Sequence, residues 1–238
     1  MPSATLEAAR DWGLQSIARQ ARIGGGMSDT IQTSERSRSS TLLRVIASLV
    51  LLAIAGIASK AAGAYIVAEF PDRPMPRDAL FELLPYVSSA RYLTAVALVA
   101  GFAIVVAYAV RMTPDKIPAF ISVFALMYLF RAAIMVLTPL ASSYGTGHFV
   151  FPIVQYGMFP SGHAGAATLC TRLVDKQQAP RLRAVQTVLM LVVWVALVLA
   201  HGHYSIDVVG GALLAYFVEQ EWSHGSLLDP FKRMVRCS

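Results

Sequence analysis

Long apolar stretches with few charges constrain this chain more than any other feature of its sequence. Of its 238 residues, 56% are hydrophobic and only 14% are charged. A soluble domain of similar size carries roughly 25% charged residues. About 20 apolar residues cross the hydrocarbon core of a membrane as one α-helix. In a helix every backbone N–H and C=O group can form its hydrogen bond within the segment, which is required where water is absent. The sequence therefore predicts an all-α, polytopic membrane protein.

Six apolar segments predict one bundle of six transmembrane helices joined by short loops. They cover about residues 42–68, 92–110, 117–140, 161–174, 184–200 and 204–217. Three regions follow from this pattern: a polar N-terminal tail over residues 1–41, a transmembrane domain over 42–222 and a C-terminal tail over 223–238. Between the first two spans, one or two helical turns over 78–84 are expected to lie on the membrane surface.

The distribution of basic residues predicts the orientation of the bundle. Most of the lysines and arginines fall in the N-terminal tail, in the loops 111–116 and 172–183, and in the C-terminal tail. Cytoplasmic loops carry such an excess. We therefore expect a multi-pass protein of the cell inner membrane with both termini in the cytoplasm. The formal net charge of +6 is interpreted as this bias, and no nucleic-acid partner is predicted.

Two details of composition limit other interpretations. The cysteines, Cys170 and Cys237, form no disulfide framework and no metal-ligand spacing. We therefore predict no metal and no cofactor. The glycine run at 24–26 stands directly before Met27, so both Met1 and Met27 are candidate natural starts. The oligomeric state is open.

A histidine and an aspartate at a junction between two apolar segments are the strongest candidates for chemistry. His203 and Asp207 are four residues apart, which places them one above the other on a helix face. The carboxylate can hold one imidazole nitrogen and leave the other to act as base, nucleophile or ligand. Ionisable residues within membrane segments are rare, which favours a function over a merely satisfied polar pair.

A second histidine lies at the start of the fourth apolar segment. His163 is part of the stretch Phe159-Pro160-Ser161-Gly162-His163-Ala164. The predicted topology places His163 and His203 at the same, outer face of the membrane. Two reactive histidines from different spans would then meet at one surface and offer a nucleophile and an acid.

One arginine interrupts the third apolar segment. Arg131 should lie ~12 Å below the outer end of that span, counting 1.5 Å per residue from Pro139. It could bind a phosphate, because its guanidinium stays charged and can donate two parallel hydrogen bonds to two phosphate oxygens. The less favoured alternative is a structural pair with a carboxylate or with helix carbonyls. Tyr128, three residues earlier, falls near the same helix face.

Other polar and small residues have less specific interpretations. Tyr156, Tyr204, Trp194 and Trp222 could include a cage for a quaternary ammonium group, but anchoring at the membrane interface is the favoured interpretation. The two glycines at 210–211 are expected to permit close helix contact rather than to bind a ligand.

Several motifs together resemble the type 2 phosphatidic acid phosphatase (PAP2) superfamily. The general resemblance rests on Phe159-Pro160-Ser161-Gly162-His163 and on His203-Tyr204-Ser205-Ile206-Asp207-Val208. A closer resemblance is to the sphingomyelin synthase branch. It rests on Leu199-Ala200-His201-Gly202-His203, on Tyr128-Leu129-Phe130-Arg131 with Thr138-Pro139, and on Pro74-Met75-Pro76-Arg77-Asp78 with Phe81.

The chain departs from both branches at defined positions. The synthases have Cys-Gly-Asp where Tyr156, Gly157 and Met158 stand here. PAP2 phosphatases have a Ser-Arg pair six to seven residues before the nucleophilic histidine, where this chain has Ala196 and Leu197. The Lys and Arg-Pro motif of the phosphatases is also missing. The balance of motifs is therefore synthase-like.

The resemblance implies a lipid phosphotransferase that uses neither metal nor cofactor. His203, oriented by Asp207, would attack the phosphorus, and His163 would serve as acid and then as base. Substrate and phosphate binding is assigned to a further set of residues: Arg131, Ser161, Gly162, Tyr128 and Tyr204. The partners implied are a membrane phospholipid donor with a phosphocholine or phosphoethanolamine headgroup and an acceptor such as ceramide or a similar lipid alcohol.

Two alternatives remain open from sequence. The first is a membrane lipid phosphate phosphatase or phospholipid hydrolase, in which water is the acceptor. The second is a transporter or structural bundle that buries histidine and aspartate without catalysis.

Overall fold

The structure of the protein, a computed structural model, describes residues 41–143 and 158–235. Within these ranges the chain forms helices and connecting loops and no β-strand, which confirms the all-α prediction. The predictions for the N-terminal tail up to residue 40, for Tyr156 and for Cys237 concern residues outside the described part. Arg44–Ser238 forms one compact unit, and only the last three residues of the other unit, Met1–Leu43, are described.

Eight helices and one short 3₁₀ turn make up the described chain. They are α1 (Thr41–Glu69), α2 (Ala79–Leu83), α3 (Ala90–Met112), the 3₁₀ turn (Pro114–Lys116), α4 (Ile117–Leu137), α5 (Gly162–Leu173), α6 (Pro180–Leu199), α7 (Ser205–Ser223) and α8 (Asp229–Val235). The short α2 begins where a helical turn on the membrane surface was predicted, with the Asp78 carboxylate as its N-terminal cap.

Among the described helices, four are long and apolar enough to cross a membrane. They are α1, α3, the segment Pro114–Leu137 and α6. This indicates an integral membrane protein. Helix α5 has 12 residues and is therefore ~18 Å long, well below the ~30 Å of the hydrocarbon core. Helix α7 has 19 residues but carries Asp207, Glu219 and Glu221.

Two helix boundaries differ from the predicted apolar segments. Helix α6 begins at Pro180, four residues before the predicted start of that span, because proline fits the first position of a helix, where no N–H partner is needed. Helix α7 continues to Ser223, past the predicted end at residue 217, and its last turns place Glu219 beside Arg172 of α5. Hydropathy alone does not report polar helical turns of this kind.

Helices α5 and α7 lie side by side and run in the same direction. At their N-terminal ends the Ser161 backbone N–H donates to the Asp207 carbonyl oxygen at 2.9 Å. Towards their C-terminal ends Arg172 Nε donates to Glu219 Oε2 at 2.8 Å. These two contacts, one near each end, fix the register between the helices.

Helix α6 returns antiparallel between α5 and α3. The buried Gln186 side chain donates to the Gly101 carbonyl oxygen of α3 at 2.8 Å, and the Thr171 hydroxyl of α5 donates to the Gln186 carbonyl oxygen at 3.0 Å. Arg183 donates to the Val174 carbonyl oxygen at 2.8 Å, beside the C-terminus of α5. Polar contacts of this kind tie apolar helices together where burial against lipid gains little.

Helices α1 and α4 also pack in parallel. The Ser48 hydroxyl donates to the Pro118 carbonyl oxygen at 2.9 Å, and the Ser122 hydroxyl donates to Ser48 Oγ at 3.2 Å. Just past its middle and about one turn further on, α4 carries Tyr128 and Arg131 towards the start of α5. The N-termini of α5 and α7 and the C-terminal end of α6 therefore meet at one end of the bundle.

The glycines at 210–211 permit the predicted close contact. A methyl group added at Gly211 would overlap the carbonyl oxygen of Ser161, and one added at Gly210 would overlap the ring of Phe159. The Ser161 carbonyl is part of the backbone, so it cannot move away by changing a side-chain rotamer. The prediction that this pair serves close helix packing is confirmed.

Replacement of Gly211 by alanine should therefore destabilise the bundle. We expect Gly211→Ala to lower the unfolding free energy by about 1–3 kcal/mol, as overpacking does elsewhere. The measurement is equilibrium unfolding of the purified protein in detergent micelles. Gly56→Ala is the matched control, since a Cβ at Gly56 has no other atom within 4 Å. Equal stability of the two variants would contradict the packing described.

Candidate active site

Two histidines from different helices face each other where α5 and α7 begin. His163 Nδ1 lies 3.4 Å from His203 Nε2, and the ring centroids are 5.6 Å apart. On the far side of His203, its Nδ1 lies 3.3 Å from Asp207 Oδ2. The structure thus brings together all three residues to which the sequence assigned the chemistry. They form a line from a carboxylate through one imidazole to another.

The carboxylate of Asp207 is fixed by backbone before it meets His203. Asp207 is fully buried, and its Oδ2 accepts the Tyr204 backbone N–H at 3.0 Å. The same oxygen faces His203 Nδ1. A carboxylate there favours the proton on Nδ1, which leaves the lone pair of Nε2 directed at His163. This arrangement is that of a nucleophile or base held by an orienting acid.

The two histidines differ in exposure. His203 is 7% exposed, whereas His163 is exposed. A substrate group would therefore meet His163 first and would have to enter between the two rings to reach His203 Nε2. Because the rings are in hydrogen-bond range without substrate, His163 has to move aside for a phosphoryl group to enter. Apo sites commonly tighten or rearrange in this way on binding.

Arg131 holds the loop that leads into His163. Its Nε donates to the Pro160 carbonyl oxygen at 2.8 Å. A Cβ at Gly162 would lie 3.2 Å from both Arg131 Nε and Tyr128 Cε1, so glycine is what allows these side chains to approach the loop. The sequence left two roles open for Arg131, phosphate binding and a structural pair, and the bond to the Pro160 carbonyl is of the structural kind. A guanidinium has five N–H donors, so this contact is compatible with binding a phosphate as well.

Ser161 is placed within the backbone framework of the site. It is the N-cap of α5, where its Oγ accepts the Ala164 backbone N–H at 3.2 Å. Its own N–H donates to the Asp207 carbonyl oxygen. The residue is 1% exposed. The contacts of Ser161 therefore position His163 two residues later.

Two buried polar atoms near His203 have no hydrogen-bond partner among the described residues. They are the Tyr204 hydroxyl and Asp207 Oδ1. Buried polar atoms in proteins are nearly always paired, and exceptions often mark functional sites. Tyr204 is 2% exposed and stacks on Phe81 with a centroid distance of 5.8 Å.

The aromatic cage considered from the sequence is not assembled by the described residues. Trp222 packs in the cluster around Leu126 and Val218, whereas Trp194 packs in the cluster around Val193. The two tryptophans therefore belong to different clusters and do not line one site together.

The structure adds a residue whose role the sequence did not reveal. Asp78 is 8% exposed, and its carboxylate accepts backbone N–H groups from Leu80 and from Ser205, the first residue of α7. The sequence contains Asp78 only as the end of a proline-rich motif. Its partner in α7 is 127 residues away, so no local pattern could have indicated the contact.

A comparison with protein families gives one finding. Residues 153–218 match the model of the PAP2 superfamily, a little over a quarter of the chain. The matched region contains α5, α6 and most of α7, and therefore all of His163, His203 and Asp207. No curated protein matches the sequence. Together with the apolar helices, the family match indicates a membrane protein of the lipid phosphatase or phosphotransferase type.

Removing the charge of Asp207 should disable the site without removing its bulk. We expect Asp207→Asn to lower turnover of a phospholipid substrate by about 10²–10⁴-fold, since an amide no longer stabilises the proton on His203 Nδ1. Turnover is measured as headgroup release or transfer in lipid vesicles. Asp115→Asn, in the 3₁₀ turn, is the control and should keep its activity. Equal activity of both variants would rule out this role for Asp207.

Proposed function

We propose that the protein is an integral membrane lipid phosphotransferase of the sphingomyelin synthase type. It would move phosphocholine or phosphoethanolamine from a glycerophospholipid to ceramide or a similar lipid alcohol. The observation that carries this proposal is the 3.4 Å approach of His163 Nδ1 to His203 Nε2, with Asp207 behind His203, in a chain of long apolar helices.

In this proposal α5 and α7 complete a bundle of six spans. Both termini lie in the cytoplasm of the cell and the site lies at the outer face of the inner membrane. The end of the bundle opposite the site supports this orientation. There the hydroxyl of Tyr108, near the end of α3, donates to Gln178 at 3.1 Å, which brings the α5–α6 loop beside the loop that follows α3. Basic residues collect at that end: Arg111, Lys116, Lys176, Arg181 and Arg183.

The first half-reaction transfers the headgroup to the protein. The Nε2 lone pair of His203 attacks the phosphorus of the donor and forms a P–N bond. The P–O bond to the glyceride breaks, and the His163 imidazolium gives its proton to the leaving oxygen, which releases diacylglycerol. Asp207 stabilises the positive charge that develops on the His203 ring.

The second half-reaction returns His203 to its starting state. Neutral His163 takes the proton of the acceptor hydroxyl while the acceptor oxygen attacks phosphorus. The P–N bond breaks and its electron pair returns to His203 Nε2. His163 ends as the imidazolium with which the cycle began, so protons and charges balance.

Charge on the phosphoryl oxygens needs fixed positive partners. Arg131 lies beside Gly162, next to His163, and can supply N–H donors to an equatorial oxygen. Helices α5 and α7 both begin at the site, and the positive ends of their dipoles favour an anion there.

An apolar cavity of about 470 Å³ supports a lipid substrate. It lies between α1, α3 and α4, lined by apolar side chains such as Phe102 and Phe124, and runs from Val110 and Ile117 at the end of the bundle opposite the site to Tyr128. This volume is in the usual range for ligand pockets, ~300–1,000 Å³. Tyr128 also borders Gly162, so the cavity extends to the side chain that flanks the loop of His163.

A PAP2-type phosphatase or hydrolase that uses water as acceptor is the second candidate. The superfamily match is compatible with it, because that match does not distinguish transfer from hydrolysis. Ala196 and Leu197 argue against it, since they stand where such phosphatases carry a phosphate-binding Ser-Arg pair. Both residues are almost completely buried in apolar packing of α6, at 1% and 0% exposure.

The test is headgroup transfer by purified protein in vesicles of phosphatidylcholine and phosphatidylethanolamine with a labelled ceramide. We expect a labelled phospho-sphingolipid that disappears with His203→Ala and is reduced less by His163→Ala. His224→Ala is the matched control, because His224 is exposed and lies at the far end of α7.

Other products would decide between the candidates. Release of phosphate or phosphobase without a new lipid, dependent on His203, would identify water as the acceptor. Full activity of His203→Ala would contradict both enzymatic candidates.

A further inference from the structure

A short segment between α1 and α3 covers the turn that carries His203. It runs from Asp78 through α2 to Val87. At its end the Val87 backbone N–H donates to the Leu199 carbonyl oxygen at 2.8 Å, at the last residue of α6. At its start the Asp78 carboxylate accepts the backbone N–H of Ser205, the first residue of α7. The segment therefore contacts both sides of the turn between α6 and α7.

Aromatic stacking joins the middle of this segment to the same turn. The ring of Phe81 stacks on that of His201 with centroids 3.9 Å apart and an interplanar angle of 14°. His201 has φ = 50°, in the left-handed region that residues other than glycine adopt at a cost. Such a conformation persists only where neighbouring groups hold it. Phe81, stacked on the His201 ring, and Tyr86, tilted against it at 5.0 Å, are such neighbours.

Asp78 is the polar anchor of this arrangement. One carboxylate oxygen accepts the Leu80 N–H at 2.9 Å and caps α2, and the other accepts the N–H of Ser205. The residue is 8% exposed, so neither bond competes freely with water. Ser205 lies midway between His203 and Asp207 in sequence, and a shift of its backbone would move both.

We propose that Asp78 is a positioning residue for His203: by binding the first N–H of α7, it holds the turn in the register that keeps His203 Nε2 facing His163. The role of His203 in this statement rests on the proposed function. Asp78 itself touches no reacting atom. Misplacement of a catalytic group by about 1 Å costs of the order of 10²-fold in rate, so loss of the link should appear in turnover.

Asparagine at position 78 separates the two bonds of the carboxylate. Asparagine caps helices as well as aspartate does, so Asp78→Asn keeps the cap of α2. The amide has a single acceptor oxygen, so Asp78→Asn keeps only one of the two bonds. With that oxygen on the Leu80 N–H, the NH₂ group faces the Ser205 N–H, donor against donor, and the link to α7 is lost. Asp175→Asn is the matched control, because Asp175 makes the same kind of bond, to the Gln177 N–H at 2.7 Å, at the other end of the bundle.

Proline at position 205 removes the same link from its other side. Ser205→Pro deletes the N–H that Asp78 accepts, at the first position of a helix, where proline is tolerated. The preceding residue, Tyr204, has φ −58° and ψ 152°, a conformation that a following proline accepts. Ser205→Ala loses the same hydroxyl but keeps the N–H, and it should behave as wild type.

Two readouts test the proposal. Hydrogen exchange by mass spectrometry should show faster exchange in peptides covering residues 201–207 for Asp78→Asn and unchanged exchange for Asp175→Asn. In vesicle assays kcat should fall about ten- to a hundredfold in both Asp78→Asn and Ser205→Pro, with KM close to wild type. The double variant should be no slower than either single variant.

Specific outcomes would overturn the proposal. Unchanged exchange in both Asp78→Asn and Ser205→Pro would show that the bond between Asp78 and Ser205 does not hold the turn. Wild-type kcat in Ser205→Pro, with the variant folded by its thermal transition, would show that the bond does not serve His203. If the wild-type protein neither transfers nor hydrolyses headgroups, the proposed function fails, and the exchange measurement still decides whether Asp78 holds the turn.

Discussion

A single backbone contact between two helix N-termini sets the geometry on which the site depends. The Ser161 N–H donates to the Asp207 carbonyl oxygen at 2.9 Å, and Gly211 leaves room for the Ser161 carbonyl against α7. No side chain intervenes, so the spacing of the two helices is fixed by backbone dimensions. His163 lies two residues beyond one partner and His203 four residues before the other. Their 3.4 Å approach follows from this contact.

The surrounding side chains serve mainly to keep that geometry in an apolar setting. The Tyr204 N–H fixes the Asp207 carboxylate, the Pro160 carbonyl holds Arg131, and the Asp78 carboxylate holds the start of α7. Each contact pairs a charged group with the backbone. Such pairing satisfies charges that would be costly to bury alone. It also leaves the imidazole nitrogens of the two histidines as the groups arranged to react with a substrate.

The sequence predicts the elements well and the tertiary contacts poorly. Apolar segments located α1, α3, α4 and α5 to within a few residues, because each of these helices is apolar over most of its length. The i, i+4 spacing predicted that His203 and Asp207 share a helix face, since that geometry is local. The start of α6 and the end of α7 were misplaced, because polar turns extend both helices beyond the lipid-facing segment. The bond from Asp78 to Ser205 joins positions 127 residues apart and left no local signal.

The most direct test of this account is to trap the headgroup on the protein. Purified protein would be mixed with a donor phospholipid labelled in its phosphate, without acceptor, denatured in base within the first turnovers and mapped by mass spectrometry. A phosphoramidate is stable to base and labile to acid, and the account predicts a headgroup-sized adduct on His203 that acid removes and ceramide discharges. An adduct on His163, or lipid product formed with no adduct on any histidine, would contradict the assignment of His203 as nucleophile.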